Sequence, residues 1–328
     1  MKNYGLFFVV VLFFFSCQTE IEVKIPNYYN KLVVEGYIEN GEYPVVSLYR
    51  SAPYFSTMSL DYLIDSIIIR DARVFVKPEN GEEQELFINP YYFPRLDYPL
   101  LYAYSTRNLV GELNTKYSLR VEWNNKIYTS ETNILDTFEL DSVGFVPNFG
   151  HEKIDSTANI RITMTDNGLM NYYQFTVKIH CAQFRDRLWI PTIPAAFDNS
   201  PFKDKTFNYE IMRGSPSSIF IPEMTEKERR NYFRMNYRVG DTVFFKYARI
   251  DYESFRFWNT AGSELGFGQN PFMSPEPIIS NIKCSTGEKC LGVWCGAAKK
   301  ETVMILDSAS TSLVKKTILS YPNSFEKK

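Results

Sequence analysis

"YSLRVEWNNKIYTSET", residues 117–132, decides the class of this fold. Apolar side chains alternate with polar ones over Tyr117–Trp123, which is the pattern of a strand that buries one face. Asn124-Asn125 then turns the chain, and a second strand-like run begins at Ile127. The stretch therefore predicts a β-hairpin.

The same pattern recurs elsewhere in the chain. Residues 72–77 alternate before Asn80-Gly81, the strongest short hairpin signal, because both central residues of a type I′ turn need a positive φ. Residues 160–164 alternate before Asp166-Asn167-Gly168, and we expect a hairpin there too. The 23 Tyr and 26 Phe residues also favour pleated surfaces. These patterns predict a mainly β protein.

The length suits two β-sandwich-like domains, which we place at residues 30–135 and 136–328. Two short helices are expected as insertions in the second domain. One lies near 225–236 and opens on a Thr-x-x-Glu capping box. The other lies near 251–260, where aromatic residues recur at helical spacing.

The N-terminus carries an export signal. The apolar run Leu6–Phe15 follows Lys2 and is half the length of about 20 residues that a membrane-spanning helix needs. It ends at Ser16-Cys17, as a lipoprotein signal peptidase site requires, so residues 1–16 are interpreted as a signal peptide. The alternative is an ordinary signal followed by a chance cysteine.

Cys17 is the expected lipidation site. Acyl chains on its thiol and amine would hold the protein at a membrane, because each buried CH₂ contributes about 0.8 kcal/mol. Residues 17–29 are interpreted as a lipidated linker, and the body is expected outside the cytoplasm. The net charge of −2 offers no basic field for a polyanion, so we expect no nucleic-acid partner.

Four further cysteines are candidates for disulfides in an oxidising compartment. Cys284 and Cys290 enclose a hairpin-sized loop and are the favoured pair, which leaves Cys181 and Cys295 as the complement. Unpaired core thiols and a Cys₄ zinc site are the alternatives. The spacing fits zinc poorly, because zinc sites typically use C-x₂₋₄-C pairs, and we expect no metal or other cofactor.

Catalytic signatures are scarce. Strand alternation places His180 on the face opposite Cys181, so the two cannot form a base and nucleophile pair. The other histidine, His151, lies in a polar loop, and no G-x-S-x-G elbow, phosphate-binding loop or H-E-x-x-H motif is present. A paired-carboxylate glycosidase has no signature of its own and stays open. We expect a protein without catalytic residues.

Residues 89–104 are the best candidate for a binding surface. They combine six aromatic residues with three prolines, which suits a rigid aromatic loop better than a central strand. Tyr91, Tyr92, Phe93 and Tyr98 would form a platform for a partner or a sugar-like ligand. The alternative interpretation is that these rings belong to the core.

Several segments, taken in order, resemble a family of Bacteroidota outer-membrane lipoproteins with a DUF4249-like domain of unknown function. The segments are "KLVVEGYIEN", "VSLYRSAPY", "IRDARVFVKPENGE", "YSLRVEWNNKIYTSET", "DNGLMNYYQFTVKI", "DYESFRFWN" and "NPFMSPEPIISNIKCSTGEKCLGVWCGA". The last contains the Ser-Asn-Ile and Gly-x-Trp pattern, with "KCSTGEKC" inserted where a short Gly turn is more usual.

The resemblance implies an immunoglobulin-like or carboxypeptidase-regulatory-like first domain. It also implies an outer-membrane location and a gene beside a TonB-dependent transporter. The expected function is therefore a lipid-anchored, non-enzymatic accessory protein of that transporter. A surface ligand-binding lipoprotein and an extracytoplasmic hydrolase are the alternatives. Glu20 and Glu22 resemble surface-export signals of this group, while a periplasmic facing stays open.

Overall fold

The computed structural model describes residues 31–52, 62–88, 102–148, 157–186, 188–202, 205–215, 225–267 and 277–307. All of them lie in the compact unit that begins at Lys31. The predicted signal, the linker and Cys17 fall outside the described residues. The domain boundary at residues 135 and 136 stays a prediction.

Within the described ranges the chain is mainly β, as predicted. The strands are β1 (Leu32–Glu39), β2 (Val45–Arg50), β3 (Arg73–Pro78), β4 (Gln84–Ile88), β5 (Ala103–Ser105), β6 (Thr115–Trp123), β7 (Lys126–Ile134), β8 (Ser142–Pro147), β9 (Thr157–Thr165), β10 (Tyr172–His180), β11 (Ile190–Asp198), β12 (Thr206–Arg213), β13 (Tyr237–Arg238), β14 (Thr242–Ile250), β15 (Lys283–Cys284) and β16 (Leu291–Ile305). The helices are α1 (Glu226–Tyr232) and α2 (Tyr252–Phe267), with a π-helical turn at Leu63–Ile67 and a 3₁₀ turn at Ser200–Phe202.

Strand β16 joins the two halves of the sheet. The strand order is β13-β9-β12-β11-β10-β14-β16-β1-β2-β5-β4-β3-β6-β7-β15, and β8 pairs with β9. The first half of β16 runs parallel to β1, and its second half runs antiparallel to β14. One 15-residue strand therefore lies at the edge of both cores.

Two apolar cores lie on the inner faces of the folded sheet. The first is built mainly from β1, β2, β3, β6 and β7; its largest fully buried members are Trp294, Tyr117, Ile38, Leu48, Ile69 and Leu119. The second is built mainly from β9, β10, β12 and β14; its largest fully buried members are Tyr237, Tyr247, Phe175 and Phe245. A smaller cluster lies beneath helix α2 on the outer face, around Trp258 and Cys295.

The Asn124-Asn125 hairpin is confirmed. Both asparagines take a positive φ, of 50° and 57°, and β6 pairs with β7 along nine residues. The predictions for the other two hairpins are each wrong in one detail. Strands β3 and β4 do pair, but neither Asn80 nor Gly81 has a positive φ, because β3 already ends at Pro78 and a longer loop follows.

The second wrong detail concerns residues 166–171. Strand β9 pairs with β8 on one side and with β12 and β13 on the other, so no edge is left for β10. Strand β10 pairs with β11 and β14 instead. The connection is therefore an arch from one layer to the other.

Both helices occur at the predicted positions with different ends. Thr225 and Glu228 form the reciprocal capping box, and α1 then ends at Tyr232 rather than near 236. Helix α2 begins at Tyr252 but continues seven residues past the predicted end. Small residues replace the aromatic repeat there, and a Cβ at Gly262 would lie 3.4 Å from that of Ala195, so the small residue allows close packing on β11.

Candidate functional site

Three of the segments that carry the family resemblance meet around Trp294. Gly36 is its partner across the β1–β16 pair, and a Cβ at Gly36 would lie 2.7 Å from the Trp294 ring. The indole Nε1 donates to the carbonyl of Tyr117 at 3.2 Å. Three segments that are far apart in the sequence therefore share one fully buried side chain.

The Ser-Asn-Ile motif takes the place of a neighbouring strand. Asn281 accepts from the Trp294 backbone N–H at 3.0 Å and donates to the Trp294 carbonyl at 2.8 Å. Ser280 Oγ donates to the Gly292 carbonyl at 2.7 Å. These side chains satisfy backbone groups in the first half of β16, before the stretch that pairs with β14. The motif therefore has a structural role.

The arch at residues 166–171 presents two apolar side chains to solvent. Leu169 and Met170 are 67% and 56% exposed. The Leu169 carbonyl accepts from the side-chain amides of Asn171 and Asn199, at 2.9 and 2.7 Å, and its N–H donates to Asn167 Oδ1 at 3.1 Å. A tip held in this way loses little conformational entropy on binding, which makes it a candidate contact for a partner protein.

The thiols of Cys284 and Cys290 are in hydrogen-bond contact, and both cysteines are free. Burial opposes ionisation of Cys284, yet hydrogen bonds from Thr286 leave the pKa of its thiol below the ordinary value. Burial raises the pKa of Cys290 to about 11. The loop therefore brings the favoured disulfide candidates together, with the more acidic thiol nearer the surface.

The other predicted pair, Cys181 and Cys295, is not allowed by the structure. Cys181 follows His180, which pairs with Thr242, and Thr242 pairs with Ile305. Cys295 lies ten residues earlier on β16, so roughly 30 Å of strand separates the two, whereas a disulfide needs Cα atoms within about 7 Å. Burial beneath helix α2 also raises the pKa of Cys295 to about 12.

His180 lies on the face opposite the apolar residues of β10, as strand alternation predicts. Its ring contacts Phe244 at 4.7 Å between centroids. Burial and the charge of Arg185 lower the pKa of His180. His151 lies outside the described residues.

The predicted aromatic platform cannot be placed, because Tyr91, Tyr92, Phe93 and Tyr98 lie outside the described residues. The end of that segment belongs to the core. Tyr104 is buried and accepts from the Ala72 N–H at 3.1 Å.

A buried ion-pair cluster was missed from the sequence. Arg213 is fully buried and donates to Asp186 Oδ1 at 2.8 Å, and Asp186 also accepts from the Ile179 N–H at 2.8 Å. Nearby, Arg234 binds both carboxylate oxygens of Asp241, at 2.6 and 2.7 Å. A signal did exist, because Arg213 follows Ile211 on the inward face of β12.

A cavity of about 160 Å³ adjoins this cluster and is lined in part by Cys181, Arg234 and Arg238. It is smaller than the ~300–1,000 Å³ of typical ligand pockets. Its two arginines are engaged, Arg234 with Asp241 and Arg238 with Asn231 at 2.6 Å. We therefore assign the cavity no ligand.

Within the part of the chain that the structure describes, no three His, Cys, Asp or Glu side chains are grouped as metal ligands. In the same ranges, no helix has both the length and the apolar character needed to cross a membrane.

Comparison with known proteins gives one finding. A family model described as "Domain of unknown function (DUF4249)" matches residues 18–302. No curated protein matches the chain. The matched range contains nearly all of the described sheet.

Proposed function

The chain belongs to the DUF4249 family, and from that premise we propose that it is a lipid-anchored, non-enzymatic accessory protein of a TonB-dependent outer-membrane transporter. The observation that carries the proposal is the arch with Leu169 and Met170 at its tip. Its hydrogen bonds fix the backbone of Leu169, so the arch presents two neighbouring exposed apolar side chains from a β body, as a docking contact requires.

The anchor is supported by the sequence around Cys17. The family match begins at the next residue, so residues 1–16 precede the shared domain. The apolar run and Ser16-Cys17 have the order of a lipoprotein signal. Acylation of Cys17 would then place the body at the outer membrane.

The residues that carry the family resemblance make structural contacts, which supports the non-enzymatic part of the proposal. Gly36 and Asn281 each contact Trp294, and the polar groups of Asn281 bond the Trp294 backbone. Gly36 lets β1 pack closely against Trp294 and Asn281 bonds the backbone of β16, which are roles within a scaffold.

Purification of the native complex in mild detergent tests the proposal. We expect the tagged chain to retain a TonB-dependent transporter, and the double variant Leu169→Asp, Met170→Asp to retain at least about tenfold less, a loss of about 1.4 kcal/mol of binding free energy. Phe87→Ser is the matched control, because Phe87 is 63% exposed on strand β4, away from the arch. Palmitate labelling that disappears in Cys17→Ser would establish the anchor.

Repeated recovery of the intact, acylated chain without any transporter would refute the accessory role. Equal transporter recovery with the double variant and with Phe87→Ser would refute the arch as the contact.

The proposed location also predicts a disulfide between Cys284 and Cys290, because exported proteins fold in an oxidising compartment. We expect these two cysteines to resist alkylation in the unfolded, unreduced chain, while Cys181 and Cys295 react. Peptide mass spectrometry after alkylation in denaturant measures this. Full alkylation of Cys284 and Cys290 without reductant would contradict the prediction.

A further inference from the structure

On the outer face of the sheet, in a part that helix α2 does not cover, two lysine side chains contact the same indole ring. Lys178 on β10 and Lys246 on β14 both point away from the second core. The Nζ atoms lie 4.8 and 4.5 Å from the ring centroid of Trp189, which immediately precedes β11. Both lysine side chains therefore contact one indole ring.

The two lysines differ in their partners. Lys246 Nζ donates to Glu39 Oε1 at 2.6 Å, and Lys299 also contacts Glu39, at 3.3 Å. Lys178 makes no ion pair with any residue that the structure describes. The charge of Lys246 acts on it more strongly than each of the carboxylates of Glu301, Glu39 and Asp186, none of which pairs with it.

These surroundings favour the neutral amine of Lys178. Burial lowers its pKa to about 8, and the Lys246 charge acts in the same direction against the weaker effects of Glu301, Glu39 and Asp186. At pH 7.5 about a quarter of such an amine is neutral, compared with about one in a thousand for an ordinary lysine. Neutral lysines beside a second cation are the ones that attack carbonyl carbons.

Two further groups on the same strand face complete the arrangement. The hydroxyl of Thr176 is buried and has no hydrogen-bond partner among the described residues. It lies opposite Lys246 in the β10–β14 register, so an unused hydrogen-bond donor stands beside the lysine pair. His180 lies two residues beyond Lys178, and burial and Arg185 lower the pKa of its imidazole, which keeps that ring neutral at pH 7.

We propose that Lys178 is a covalent capture site for small aldehydes, which its amine binds as a reversible imine beside the Trp189 ring. The nitrogen lone pair attacks the carbonyl carbon, the C=O electron pair moves to oxygen, and a proton passes from nitrogen to that oxygen. Loss of water then gives the imine, and no oxidant or reductant takes part. This activity is independent of transporter docking.

Reductive trapping on the full chain in detergent tests the proposal. We expect propanal with cyanoborohydride at pH 7.5 to modify Lys178 at least tenfold faster than the exposed Lys77 and Lys283, as measured for each peptide by mass spectrometry. The rate at Lys178 should rise with pH and level off above about pH 8.

Two variants separate chemistry from folding. Lys246→Met removes the second cation and leaves Glu39 paired with Lys299, so the rate at Lys178 should fall toward that of Lys283. Lys178→Arg should abolish trapping at this position with an unchanged near-UV circular dichroism spectrum. Trapping at Lys178 no faster than at Lys77 and Lys283, or a rate that keeps rising up to about pH 10 as for an ordinary lysine, would overturn the proposal.

Discussion

Replacing Gly292 with alanine should lower the free energy of unfolding by more than about 4 kcal/mol. Gly292 has a φ of +99°, and a Cβ at this position would lie 1.8 Å from the carbonyl oxygen of Val34. That oxygen belongs to the backbone of β1, which is fixed by pairing with β16. Relief of the overlap requires separation of the two strands at the first core. Urea denaturation followed by circular dichroism measures the loss.

Gly240→Ala is the matched control for this prediction. Gly240 has a similar φ, +93°, but a Cβ at this position would meet no atom within 4 Å beyond the adjoining residues. The positive φ alone should cost about 1–2 kcal/mol. A Gly292→Ala variant that unfolds at the same urea concentration as Gly240→Ala would show that the contact with β1 does not matter.

Local signals in the sequence predicted local structure well. The alternation over Tyr117–Trp123, the Asn124-Asn125 turn and the Thr225 capping box each involve groups within a few residues of one another. The physical cause of each feature is therefore contained in the segment that shows it. The same holds for the outward position of His180.

Pairing between distant strands was not predictable in this way. The turn signal at residues 166–168 is equally compatible with a hairpin and with an arch. The outcome depends on which strands already occupy the edges of β9, and one of them, β12, lies about 40 residues further along the chain. The parallel pair of β1 and β16 depends in the same way on contacts between residues such as Gly36 and Trp294.

Each proposed site also has a part that local sequence predicts and a part that depends on distant segments. Alternation places Lys178 on the outer face of β10, but its unpaired charge depends on Trp189 and Lys246, which other segments supply. The position of Leu169 depends on Asn199, which directly follows β11 and whose side-chain amide donates to the Leu169 carbonyl. A site whose side chains come from several strands therefore cannot be predicted from any one segment of the sequence.

Replacing Arg213 with alanine should destabilise the folded chain by about 3–5 kcal/mol. Its guanidinium is fully buried and donates to Asp186 Oδ1 at 2.8 Å and to the carbonyls of Tyr232 and Arg234. Its removal leaves the buried carboxylate of Asp186 without its cation. The two carbonyls also lose a donor, which should loosen the end of helix α1. Urea denaturation again provides the measurement.

Arg161→Ala is the control for Arg213, because the Arg161–Glu210 pair has a similar distance, 2.6 Å, but is solvent-exposed. Water screens that pair, so we expect a loss below about 1 kcal/mol. Adding Asp186→Asn to Arg213→Ala should recover stability, since the amide oxygen can still accept from the Ile179 N–H without burying a charge. If Arg213→Ala costs no more than Arg161→Ala, or if Asp186→Asn recovers nothing, the uncompensated carboxylate is not the source of the effect.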